Sequence, residues 1–257
     1  MPDEKAILDE SASGVSQLVL NRPEKRNALT PALIAELDKA LAAAAANAET
    51  RVVLISGAGQ DFCSGLDLAA LERIAQADVI ENLDDARALG RLFIAIRNHP
   101  RPVVAAVRGR ALAGGCGLAM ACDVVLAAES ASFGYPEVNI GFVPAIVSAL
   151  LRRSIGEKRA FDLLTRGERV AAREALELGL ITRVFRDDSF ASDVESYVST
   201  LAAKPPSAIA LTKSALYHTD ALSFEAAIEA GVQANALARM TDDCRRGIGA
   251  FLNRKKR

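Results

Sequence analysis

Two apolar runs, RVVLIS at 51–56 and PVVAAV at 102–107, are each followed by a glycine-containing loop and then a short helical pattern. The first leads into Phe62-Cys63-Ser64-Gly65-Leu66-Asp67-Leu68, the second into Gly109-Arg110-Ala111-Leu112-Ala113-Gly114-Gly115-Cys116. Short continuous apolar runs bounded by glycine read as buried strands. A repeated order of strand, glycine loop, short helix and strand implies mostly parallel strands joined by helical crossovers. The first part of the chain is therefore α/β.

The flanking segments extend this pattern. Val15–Leu20 reads as a strand stopped at Asn21-Arg22-Pro23, because proline cannot continue a ladder. Thr30-Pro31 supplies a helix cap and a proline at the first helical position. The helix should run to about Asn47, with Leu33, Ile34, Leu37 and Leu41 on one face. The polar stretch from Leu71 to Leu89 is expected to be helix with a mobile portion. Val124–Ala128 is a further strand. Beyond Phe133 the chain turns almost wholly helical, with patterns near 145–152, 156–165 and 172–178, the last stopped by Gly179. Three more helical patterns follow from about Phe190, broken at Pro205-Pro206. The expected organisation is a core over residues 1–195 that carries the site, with a helical oligomerisation region over 196–257.

Composition narrows the chemistry. The chain has 257 residues, 51% apolar and 25% charged, as in an ordinary globular protein. A net charge of -1 argues against binding nucleic acid by neutralising phosphates. The basic tail Arg254-Lys255-Lys256-Arg257 reads as a solvated end. No run is long enough to span a membrane, and MPDEKAILDE lacks the apolar stretch of a secretory leader. The four cysteines, Cys63, Cys116, Cys122 and Cys244, form no CxxC pair and no metal-ligand spacing with histidine. Reduced, buried cysteines in a cytoplasmic protein are the expectation. The two histidines, His99 and His218, have no neighbours suggesting a triad or a zinc site, so no metal is expected.

Neither glycine loop fits the dinucleotide or P-loop patterns. Another use of such a loop is to present unpaired backbone N–H groups at a helix start, where the dipole favours negative charge. Two loops on neighbouring strands could each aim one N–H at a single carbonyl oxygen, forming an oxyanion hole. Two structural tight turns would leave the same trace in the sequence.

Four ordered motifs go further. Asn21-Arg22-Pro23-Glu24-Lys25-Arg26-Asn27-Ala28-Leu29, Phe62–Leu68, Gly109–Cys116 and Phe133-Gly134-Tyr135-Pro136-Glu137 resemble those of the crotonase superfamily, also called enoyl-CoA hydratase/isomerase. The resemblance covers nearly the whole chain. It implies an α/β spiral of ββα turns with C-terminal helices that assemble a homotrimer or a dimer of trimers. It also implies an acyl-CoA thioester as substrate, with coenzyme A part of that substrate and no separate cofactor. By position, the oxyanion-hole N–H groups belong to Leu66 and Gly114. The segments of Lys25, Arg26 and Ala28, and of Asp67 and Leu68, would border the CoA moiety.

The resemblance also identifies a departure. Hydratases of the family use two carboxylates. The first would stand at Gly117, where there is none, and the second at Glu137, which is present. One carboxylate beside a stabilised enolate suits a 1,3-proton shift. Hydration with Glu137 alone remains open, as do thioester hydrolysis, decarboxylation and a non-catalytic acyl-CoA binder. Gly141-Phe142-Val143-Pro144-Ala145-Ile146-Val147 replaces the glycine-rich run usual in family hydratases, so the acyl pocket is expected to differ.

Overall fold

The computed structural model describes residues 5–254. Its organising feature is a stack of turns, each contributing a strand to one sheet and a shorter extended piece to a second layer. The large sheet has six strands: β1 (Ile7–Ala12), β2 (Val15–Leu20), β3 (Val52–Gly57), β4 (Val103–Val107), β6 (Val124–Ala128) and β9 (Arg183–Phe185). The first two pair as an antiparallel hairpin, and every later neighbour is parallel. Strand β1, which the sequence pattern does not reveal, is mostly exposed and joins the edge through the Ser13-Gly14 turn.

The second layer holds β5 (Arg110–Leu112), β7 (Ser132–Gly134) and β8 (Arg169–Ala171). Single bridges, Leu29 to Leu66 and Cys63 to Ala111, continue it across the two preceding turns. Both glycine loops therefore lie side by side in this layer.

Side-chain alternation explains the two cores. Val53, Ile55, Val103, Ala105, Val107, Val125 and Ala127 face the main core, with α1 (Pro31–Ala46), α3 (Val79–Asn98) and α4 (Gly114–Ala121). The intervening Val52, Leu54, Val104, Ala106, Leu126 and Ala128 face a smaller cluster beneath α8 (Phe190–Ala202). These strands are buried on both faces, hence their continuous apolar runs. Helix α1 starts as expected, with the Thr30 side chain accepting from Leu33 N and Pro31 at the first position.

The 71–89 stretch belongs to two helices, α2 (Leu68–Gln76) and α3. The break is chemical: Asp78 caps α3, and Glu81 returns a bond to the Asp78 N–H, a full capping box. Residue 195 falls inside α8, whose Phe190, Val194 and Val198 pack on the sheet, so this helix belongs to the core. Between β7 and that helix lie α5 (Ala145–Ile155), α6 (Glu157–Arg166) and α7 (Ala172–Leu178), and Gly179 ends α7 in the left-handed region.

The chain leaves the sheet at α9 (Pro206–His218), followed by α10 (Phe224–Met240) and α11 (Asp242–Arg254). Lys213 pins α9 to the core, its Nζ donating to Asp123 Oδ2 at 2.7 Å and to the carbonyls of Ile96 and Arg101 at 2.9 and 3.2 Å. Helix α10 has no buried residue, and Phe224, Ile228 and Val232 form an exposed apolar stripe at helical spacing. Of the basic tail, residues 255–257 lie outside the described residues.

Cys63, Cys116 and Cys122 are buried, reduced thiols, and burial pushes the first two up to about 12. His99 is a core residue bonded to Leu41 and Arg101, and His218 meets Ser214. Among the described residues no His, Cys, Asp and Glu cluster could hold a metal, and no helix is long and apolar enough to cross a membrane.

Candidate active site

The site forms where the second and third turns touch. Leu29 N donates to Gly65 O at 2.7 Å, and Asp67 N donates to Leu29 O at 3.3 Å. Leu66 sits between these two bonds, so its own N–H faces away from Leu29, toward the next turn. There Gly65, at φ +94°, lies against Ala113, and a Cβ on Gly65 would stand 2.8 Å from Ala113 Cβ.

Ala113 is unusual. Its φ is +50° with ψ -128°, a conformation that costs a non-glycine residue about 1–3 kcal/mol. Its own N–H is tied to Gly134 O at 2.8 Å, and from there the chain turns directly into α4. Gly114 is the first residue of that helix, so its N–H has no intrahelical acceptor. Among the described residues neither Leu66 N nor Gly114 N donates to the protein. All of α4 is buried, so its dipole acts where water screens it little.

Leu66, Gly114 and Glu137 line one cavity of about 310 Å³. The rest of its lining is largely apolar and includes Leu71, Leu89, Phe142 and Val143. Glu137 lies in a short 3-10 turn, Pro136–Ile140, immediately after β7. The carboxyl is half-buried and its Oε2 has no hydrogen-bond partner. Burial raises its pKa above the ordinary carboxylate value, opposed only by a backbone hydrogen bond. Tyr135, two residues earlier, is wholly buried, and burial with Cys116 beside it keeps its phenol protonated.

Gly117 explains the missing carboxylate sterically. A Cβ there would stand 2.5 Å from Val147 Cγ1 and 2.9 Å from Phe93 Cζ. The space that a second acid would need is filled by hydrocarbon from α3 and α5. Gly115 is fixed more tightly still, since a Cβ would strike the Cys63 carbonyl and lie 2.6 Å from Cys63 Sγ.

The residues expected to border CoA are gathered differently. Lys25 and Arg26 are exposed in the turn after β2, and Ala28 is buried in the same turn. None of the three lines the cavity. Asp67 caps α2 through Ala69 N and pairs with Arg22 at 3.1 Å. Burial tends to raise its carboxyl, but the Ala69 N–H and Arg22 outweigh that and hold it below the usual value. Leu68 opens α2, and its side chain lies outside the described residues.

Sequence reasoning gave no role to the groups that lock this turn. Arg22 donates to Ala28 O at 2.7 Å, and buried Asn27 donates to the carbonyls of Ala58 and Asp61 at 2.9 and 2.7 Å. Asp61 in turn takes a two-pronged bond from Arg110, at 2.8 Å for both Nε and Nη2. Val147 falls in the run expected to change the acyl pocket, but nothing local in its segment or in that of Phe93 points at Gly117.

Comparison with known proteins bears on this geometry. The profile of the enoyl-CoA hydratase/isomerase family matches residues 10–257. The chain belongs to that family. A Thermus thermophilus protein named "Putative enoyl-CoA hydratase" is 41% identical over 241 residues, covering 94% of this chain and 95% of its own. The 2,3-dehydroadipyl-CoA hydratase of Escherichia coli is 36% identical, covering 93% and 92%. The crystal structure of a Mycobacterium smegmatis enoyl-CoA hydratase superposes with a TM-score of 0.93 at 32% identity, covering 98% of this chain and 97% of that one. The fold is the crotonase-like spiral with a C-terminal helical region. As a family member the chain is a hydratase/isomerase-type enzyme acting on acyl-CoA thioesters.

Proposed function

We propose that this enzyme shifts the double bond of an enoyl-CoA by proton transfer, with Glu137 as its one acid/base. The thioester oxygen accepts from the Leu66 and Gly114 N–H groups. Glu137, deprotonated, takes a proton from C2 of a 3-enoyl thioester. The electron pair spreads into the thioester carbonyl, and the two donors stabilise the resulting dienolate. Glu137 then returns the proton to C4, leaving a 2-enoyl thioester. Each backbone donor of this kind is worth roughly 3–4 kcal/mol in the transition state.

The observation that carries this reading is the pairing of a Glu137 carboxyl whose Oε2 has no partner with an apolar seal at Gly117. A poised carboxyl in an apolar cavity suits a group that must both take and return a proton. Hydration, with Glu137 alone activating water, is the second reading, favoured by the names of the relatives. Incubation with a 3-enoyl-CoA and with crotonyl-CoA, products followed by mass, separates the two. Isomerisation leaves the mass unchanged, and a product heavier by one water would overturn the first reading. If Glu137→Gln left both turnovers unchanged, the role given to Glu137 would be wrong.

Lys25 and Arg26, exposed beside the Leu66 loop, are proposed to meet the CoA phosphates, with Ala28, Asp67 and Leu68 shaping that border. The exposed stripe on α10 supports self-association as a homotrimer or a dimer of trimers. Sedimentation should show such a species, and Val232→Asp should dissociate it. The organisation that follows is a core through about residue 195, or through α8, with the remaining helices for assembly. The buried reduced thiols support a cytoplasmic location.

A further inference from the structure

The cavity beyond Glu137 has a chemical character that goes further than its reaction. Resting on the acyl-CoA reading above, we propose that it selects thioesters of uncharged, apolar acyl chains and rejects those ending in a carboxylate. Among the described residues that line it, none is Lys, Arg or His. Its lining includes Ile140, Phe142, Val143, Ile146 and Val147.

The polar groups there do not offset an anion. Asn139 donates one of its two amide N–H groups to Gly167 O at 3.1 Å and has no charge to offset an anion. Ser64 offers one neutral hydroxyl. Glu137 would itself face the incoming carboxylate, with no cation between them. Beyond the Leu66 and Gly114 N–H groups, which the thioester oxygen occupies, the feature favouring an anion is the first turn of α5, which has no side-chain cap. A helix start of that kind contributes about fivefold in affinity when exposed and up to about 30-fold when partly buried. Desolvating a carboxylate without a cationic partner costs more, on the order of 100-fold or greater. The desolvation penalty wins.

The rim reinforces this. Ile140 and Val143 are 68% and 69% exposed, apolar side chains without cover at the mouth of the cavity. An apolar acyl chain would bury them, and a charged chain would not.

Unreactive thioesters test the selection without relying on turnover. Calorimetry with octanoyl-CoA, adipyl-CoA and free CoA should give octanoyl-CoA the tightest binding, by about 100-fold over adipyl-CoA. Adipyl-CoA within tenfold of octanoyl-CoA, or tighter, overturns the proposal. So does octanoyl-CoA binding no better than free CoA. Val143→Arg, at an exposed position that tolerates the change, should shift the octanoyl-to-adipyl ratio at least tenfold toward adipyl-CoA. An unchanged ratio in that folded variant, checked by circular dichroism, also counts against it. Should Glu137→Gln leave turnover intact while the octanoyl preference holds, the catalytic reading fails and the selection stands.

Discussion

Asp61 and Glu137 are both carboxylates set in turns beside the second layer of the spiral, and they are treated in opposite ways. Asp61 accepts from Arg110 Nε and Nη2 and from the Arg110 backbone N–H at 2.9 Å. Burial raises its carboxyl, but these donors and the Arg110 charge outweigh that and hold it below the ordinary value. Glu137 has burial with only a backbone N–H to oppose it, its Oε2 has no partner, and its carboxyl is raised. A partnered acid fixes a corner of the fold. A buried carboxylate oxygen left without a partner costs stability, and groups perturbed in this way cluster at functional sites.

The largest effect expected from breaking this contrast is on activity. Glu137→Gln should lower kcat by roughly 10²–10⁴-fold with the fold intact, measured on a 3-enoyl-CoA. The wild-type rate should fall on acidification through a pKa above the ordinary carboxylate value, because the base must be ionised.

Asp61→Asn attacks the opposite pole and should leave chemistry largely alone while weakening the corner. Loss of charge-assisted bonds to Arg110 costs about 2 kcal/mol, or roughly 4–8 °C in Tm for a chain of this size. The sign with pH follows from a depressed folded pKa. Wild type loses this contribution as pH falls through that value, so the gap to Asp61→Asn should close in acid.

Gly117→Glu should not create a hydratase. It forces a side chain into Phe93 and Val147, and overpacking of this kind costs about 1–3 kcal/mol. Thermal unfolding reads the loss, and the product from crotonyl-CoA should gain no water. Hydration appearing in this single variant would mean that the seal yields readily.

The smallest expected effect sharpens the comparison most. Glu137→Gln should be slightly more stable than wild type at neutral pH. With the folded pKa raised, ionised Glu137 destabilises the fold, and the penalty grows as pH rises through the unfolded value toward the folded one. Below about pH 4 both states carry the proton, and the two proteins should unfold at the same temperature.

Much of the fold is legible in the sequence because it is carried by neighbours in the chain. The apolar runs at 51–56 and 102–107 mark β3 and β4, Thr30-Pro31 marks the start of α1, and Gly179 the end of α7. Strand β1 escaped notice because an edge strand with polar, exposed residues carries little periodic signal. Helix α8 passes for part of the helical tail because its amphipathic pattern does not say which surface it covers.

By itself the sequence determined the parallel strands, the two glycine loops, the lone Glu137 and the gap at Gly117, since each is a matter of residue type and spacing. Only the tertiary structure decided that Gly65 and Ala113 lie against one another, that Glu137 Oε2 has no partner, and that Phe93 and Val147 close the space at Gly117. The physical reason is that desolvation and steric exclusion depend on which distant residues share a volume. Gly117 meets side chains from α3 and α5, 24 positions before it and 30 after it. No local pattern in the chain encodes that meeting.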